Sequence, residues 1–178
     1  LLVLLTGGIE ILGFSTMALM PSIARDVLGF GAAGLGFIQG VAAVGGMGAV
    51  VVLAIAGEIR RRGLVFLVTL VVFGAGLVWL GQSNSLLMVL AAIVVVNATM
   101  AIADVLSQGL MQSVVPNEQR GRAAGAWQVA VGFGPFGNLQ TGYIAGVAGL
   151  SVALTLNGGF LFALAGVSLV FARGLRRL

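Results

Sequence analysis

Apolar residues gather into six runs, roughly residues 1 to 20, 34 to 56, 64 to 81, 86 to 112, 123 to 147 and 151 to 172, with most polar residues between them. At ~1.5 Å per residue each run approaches or crosses a hydrocarbon core of ~30 Å, so the pattern predicts six transmembrane helices. Threading the chain up and down sets Arg60, Arg61, Arg62, Arg120, Arg122, Arg173, Arg176 and Arg177 on one side. Only Arg25, beside Asp26, falls on the other. The positive-inside tendency then turns both ends of this segment towards the cytoplasm. Joining segments as short as Gly57 to Gly63 and Gly81 to Ser85 make successive helices antiparallel neighbours in an all-α polytopic bundle.

Composition narrows the function classes. Of 178 residues 60% are hydrophobic and 8% charged, and the mean hydropathy is +1.16. No water-facing surface can be assembled from the remainder, so the lipid bilayer is the first partner. The net charge of +4 does not indicate nucleic acid, because the arginines sit in short loops and form no basic stripe. Cysteine and histidine are absent, which removes disulfides, thiolate nucleophiles, most zinc sites and imidazole acid-base work; no cofactor is expected. Arginine without lysine, with heavy use of Ala, Gly and Val, suits a GC-rich bacterial genome and hence a bacterial cytoplasmic membrane. Leu1 lies inside an apolar run without a basic flank or cleavage site, so a piece of a longer membrane protein is expected rather than a signal peptide.

Laying residues 1–85 against 86–178 reveals landmarks that recur at an offset of about 95. Glu10 matches Asp104, Pro21 matches Pro116, and the Arg25/Asp26 cluster matches Glu118, Arg120 and Arg122. The second helix of each half is rich in glycine. Three helices per repeat is an odd number, so the copies enter the membrane from opposite sides, a 3+3 inverted repeat of the kind found in secondary transporters. The competing explanation is that apolar helices of similar length resemble one another through composition alone.

Of the fourteen charged residues only Glu10 and Asp104 lie well inside apolar runs, where an ionised side chain costs at least ~2.5–3.5 kcal/mol. At 100° per residue Asn97, Asp104 and Gln108 share a narrow arc flanked by Met100, Met111 and Gln112, a polar stripe that must face a cavity or another helix. Glu10, Phe14 and Met17 follow i, i+4, i+7 spacing and predict a carboxyl above an apolar, polarizable wall suited to an amphipathic or cationic organic ligand. Either carboxyl could exchange protons and couple a proton gradient to transport, or be held by structural pairing. The GxxxG pairs Gly36/Gly40, Gly121/Gly125 and Gly142/Gly146 predict close backbone approach. Pro135 should interrupt the fifth helix and present Gln128, Asn138, Gln140 and Thr141 beside the weak point. Gln39 and Asn157 read as interhelical hydrogen-bonding groups. Arg60, Arg61 and Arg62 either hold topology or form a cytoplasmic gate by pairing with Glu58 and Glu118 in one state only.

Two stretches carry a family resemblance. Leu19 to Ala49, LMPSIARDVLGFGAAGLGFIQGVAAVGGMGA, resembles the seventh to eighth helix region of major facilitator superfamily transporters. Val114 to Gly146, with Pro116, Arg120, Gly121, Arg122 and Gly125, resembles their tenth to eleventh helix region. The branch it is most similar to is that of bacterial drug and siderophore exporters of the enterobactin-exporter type. The resemblance covers essentially all 178 residues as the C-terminal six-helix half of a twelve-helix protein, with the N-terminal half missing. It implies that the first helix of each repeat lines the central cavity, so that Glu10 and Asp104 face the substrate path. The family's loop motif is not matched: aligned on Gly63, Arg60 stands where its Asp belongs and Ala56 where its first Gly belongs, and Glu58 has a different spacing.

The reading that unites these features is a secondary active exporter of small amphipathic compounds, proton-coupled and working by alternating access. A six-helix permease of an ATP-driven transporter would need longer cytoplasmic helices, and a non-transporting scaffold would tolerate neutralised intramembrane acids. A membrane enzyme ranks last, because no nucleophile and base pair can be assembled.

Overall fold

The computed structural model describes residues 1–29, 31–57 and 59–176, with the backbone alone at Ala32 and Arg173. Among the described residues, five helical segments are long and apolar enough to cross a membrane: Leu2–Val27, Ala33–Ala56, Arg62–Gly81, Leu86–Ser113 and Leu150–Phe171. The first is wound in several ways. Helix α1 (Leu2–Leu12) passes through Gly13 into a 3-10 stretch, Phe14–Leu19, then a short α2 (Met20–Ser22) and a π turn, Ile23–Val27. The local cause lies in the side chains. Ser15 Oγ donates to the Ile11 carbonyl and Thr16 Oγ1 to that of Gly13, both at 2.6 Å, while Pro21 has no N–H to donate.

Helices α3 (Ala32–Ala56), α4 (Arg62–Gly81) and α5 (Leu86–Ser113) follow. The fifth apolar run departs from the single helix expected of it, dividing into α6 (Arg120–Val131) and α7 (Gly134–Ala148). Pro135 sits in the first turn of α7 and cannot donate to the Val131 carbonyl one turn back, so the ladder fails there and the chain tightens through Gly132 and Phe133. At 12 and 15 residues these are ~18 Å and ~22 Å long, and neither alone spans ~30 Å. Gly149 alone joins α7 to α8 (Leu150–Phe171), at φ 94 and ψ 160, a backbone region that is essentially glycine's. The short α9 (Arg173–Arg176) ends the described chain.

Helix α4 is the centre of the bundle, packed on α8, α5 and α9. One apolar core gathers Leu5, Ile9, Phe66, Phe73, Ala103 and Leu161; a second, towards the other end, gathers Leu19, Ile23, Ile38, Leu80, Ile93 and Leu154. Helices α4 and α8 touch backbone to backbone at glycine. A Cβ on Gly74 would lie 2.7 Å from the Gly158 carbonyl oxygen, and one on Gly158 would lie 2.6 Å from that of Gly74.

Other close approaches are at Gly45, against the Val94 backbone, and Gly137, against Ile11. The GxxxG glycines behave otherwise: a Cβ on Gly36, Gly40, Gly121, Gly125, Gly142 or Gly146 would meet nothing within 4 Å. The expected close packing at these pairs is corrected by the structure, because they lie on outward faces of α3, α6 and α7.

The arginine hairpins converge on one end. Gly63 touches the Leu175 carbonyl, and Leu175 shares a cavity with Leu2, Met111 and Ala123. Asp26, Gln82, Ser83, Asn84 and Ser151 line a polar cavity of 710 Å³ at the opposite end.

Candidate transport site

Two elements meet at Glu10: α1 itself and the N-terminus of α7. The Glu10 side chain is only 7% exposed. Its Oε2 lies 3.5 Å from where a Gly134 Cβ would stand, so the carboxyl addresses the first turn of α7, the end at which a helix carries partial positive charge. Gly137 allows this approach, since any side chain there would collide with Ile11 Cα at 2.7 Å. Among the described residues Glu10 makes no hydrogen bond closing a pair and no salt bridge.

The α5 stripe divides along its length. Asp104, Gln108 and Gln112 are exposed, whereas Met100 and Met111 are buried in the core and Asn97 turns inward, donating from Nδ2 to the Ile93 carbonyl at 2.9 Å. The edge of burial thus runs through the stripe and leaves its acidic and amide members on an open face. Ser107, one turn from Asp104, donates to the Asp104 carbonyl and receives Trp127 Nε1 at 3.3 Å, fixing α6 to α5 beside exposed Gln128.

The Glu10–Phe14–Met17 wall is not realised as a continuous face. From Phe14 the backbone winds at three residues per turn rather than 3.6, which turns Phe14 onto the core and Met17 outward, 47% exposed. Arg60, Arg61, Arg62, Arg120, Arg122 and Glu118 are all exposed. Among the described residues the one ion pair is Arg25–Asp26, 2.6 Å from Nε to Oδ1; Glu118 pairs with none of these arginines, and the gate partner Glu58, like Arg177, lies outside the described residues.

Gln140 and Thr141, expected to be presented beside the Pro135 break, are instead taken up in a polar chain that ties the 3-10 stretch to α7 and α8. Gln140 Nε2 donates to Asn157 Oδ1 at 3.0 Å and Asn157 Nδ2 to Thr141 Oγ1 at 2.6 Å. Because the single Ser15 hydroxyl proton goes to Ile11, the 2.8 Å contact between Ser15 and Thr141 has Thr141 donating. Ser15, Thr141 and Asn157 are fully buried. Asn157 was legible as an interhelical group; Ser15 carried no sequence signal beyond being a hydroxyl in an apolar run. No cluster of three or more acidic, Cys or His groups able to hold a metal ion occurs among the described residues.

A family profile described as the Major Facilitator Superfamily matches residues 2–177. No curated protein and no solved structure matches the chain.

Proposed function

The chain belongs to the major facilitator superfamily of membrane transporters, and on that premise we propose that it forms the C-terminal half of a secondary active exporter that moves small amphipathic compounds, of drug or siderophore type, in exchange for protons. In this reading α6 and α7 cross the membrane as one discontinuous helix, completing six segments arranged as a 3+3 inverted repeat with its boundary near residues 85–86. A missing N-terminal six-helix half supplies the opposite wall of the path. The exposed amides and acid of α5, with Gln128 on α6, suit that shared face, since polar side chains in a span must meet water or protein. The arginine-bearing end faces the cytoplasm of a bacterial cell by the positive-inside tendency.

The observation that carries the coupling is Glu10: a buried carboxyl in no ion pair among the described residues, with the N-terminus of a broken helix in front of it. Such a site changes its charge by taking up a proton or a cation, and helix N-termini at membrane depth are a recurrent means of addressing acidic groups in transporters. The experiment is to make Glu10→Gln and Asp104→Asn separately in the full-length protein and follow proton-driven transport in vesicles. Loss of accumulation with retained substrate exchange is the expected result for Glu10→Gln. Wild-type transport by both variants would overturn the coupling and favour a scaffold.

A further inference from the structure

Thr6 stands one turn before Glu10 on α1 and is 3% exposed. Its Oγ1 is the one fully enclosed side-chain oxygen or nitrogen without a hydrogen-bond partner among the described residues. A hydroxyl inside a helix commonly returns its proton to a carbonyl three or four residues back, as Ser83, Thr99 and Ser113 do here at 2.8 to 2.9 Å. The described residues themselves enclose the atom, so no further segment reaches it without displacing them. Its partner has to be a group already inside.

Glu10 is within reach. Four residues of α-helix set the two side chains ~40° apart around α1 and ~5–6 Å apart at Cβ. Helical side chains lean towards the N-terminus, so a Glu10 rotamer lying back over the Thr6 turn is an ordinary one. In the structure the carboxyl addresses the first turn of α7 instead, with Oε2 3.5 Å from the Gly134 Cβ position. The two stations suit different charge states. The start of α7 offers positive potential and N–H groups that only donate, which favours a carboxylate and leaves the proton of a neutral acid without an acceptor. Thr6 Oγ1 supplies that acceptor, its own proton going to the Leu2 or Val3 carbonyl.

We infer that Glu10 has two positions: ionised against the N-terminus of α7, and protonated with its carboxyl O–H donating to Thr6 Oγ1. Thr6 is then a positioning residue of the proton site, and the inference rests on the reading of Glu10 as that site. Of the elements packed against α1, α8 and the 3-10 stretch carry no ionisable side chain, α7 carries Tyr143, α6 carries Arg120 and Arg122, and α5 carries Asp104; all four of these side chains are exposed.

Purified full-length protein in lipid vesicles is titrated from alkaline to acid pH and followed by infrared difference spectroscopy, where the carboxyl C=O band lost in Glu10→Gln reports Glu10. No substrate is needed, so the result stands apart from the transport assay. Thr6→Val keeps the shape and removes the hydroxyl. It is expected to raise the proton concentration at half-protonation of Glu10 by about five-fold, the effect of one net hydrogen bond, and to shift the band. Thr6→Ser, which keeps the acceptor, should hold both near wild type. A Thr6→Val titration that matches the wild type or needs fewer protons overturns the acceptor role, and so does the absence of any Glu10 band. Should Thr6→Val not fold, Thr6→Ala makes the same comparison. The expected Thr6 result together with wild-type transport by Glu10→Gln would overturn the coupling and leave the Thr6–Glu10 pair standing.

Discussion

Replacing Gly158 by alanine puts one methyl group where α8 crosses α4. The new Cβ would stand 2.6 Å from the Gly74 carbonyl oxygen and 2.8 Å from both Val78 N and Leu77 Cβ, whereas ordinary contact begins at 3.4 Å. Two of these three neighbours are backbone atoms, so no rotamer change relieves the clash and the helices must part by about 0.8 Å at their closest point. Overpacking of this kind costs ~1–3 kcal/mol, and the ~0.5–1 kcal/mol that Ala gains over Gly inside a helix offsets part of it. A net loss of ~1–2 kcal/mol, or a drop in Tm of roughly 2–8 °C, is expected. Thermal unfolding in detergent, followed through Trp79 on α4 and Trp127 on α6, reads it directly. The control is the next residue: a Cβ on Gly159 meets nothing within 4 Å, so Gly159→Ala should leave Tm unchanged or slightly raised. Equal losses for the two variants, or a Gly158→Ala protein as stable as the wild type, would refute the account of the crossing. The double variant with Gly74→Ala should lose less than the two single losses added together, because once the helices have parted the second methyl finds room.

Thr141→Val keeps the shape of the side chain but removes the link between Ser15 and Asn157, leaving the Asn157 amide without an acceptor; a loss of about 1–2 kcal/mol in the same unfolding assay is expected. Gly149→Ala forces a side chain into a backbone region reserved for glycine at the one-residue joint between α7 and α8, and should cost ~1–3 kcal/mol, whereas Gly142→Ala, in open space, should not. Gly137→Ala leaves both intramembrane acids in the sequence but cannot fit against Ile11, so it should push α7 away from Glu10 and depress proton-driven transport in vesicles; full activity would separate the Glu10–α7 contact from function.

The helical segments, the gathering of arginines at one end and the weak point before Pro135 were legible in the sequence, since run length, charge position and a missing N–H act locally. The choice of close-packed glycines was not. In lipid the outer face of a helix is as apolar as the inner one, so no amphipathic period tells Gly74 and Gly158 from Gly36 and Gly40, and only the neighbour opposite decides. The same blindness hid the division of the α5 stripe, where Met100 and Met111 turn to the core while Asp104 and Gln108 do not. A shared Glu10, Phe14 and Met17 face requires 3.6 residues per turn. The chain does not keep that winding, because Ser15 and Thr16 bind backbone carbonyls and it overwinds just past Gly13.

That overwound stretch sets a mechanical relation between the two ends of the first span. Six residues, Phe14–Leu19, advance at ~2.0 Å and ~120° each, against ~1.5 Å and ~100° in an α-helix. Relaxing them to the commoner winding would shorten the span by about 3 Å and rotate Ile23 and Arg25 by about 120° relative to Glu10. The Ser15–Thr141–Asn157 chain is the catch that holds the tighter coil, so its hydroxyls fix the bearing of one membrane face relative to the other.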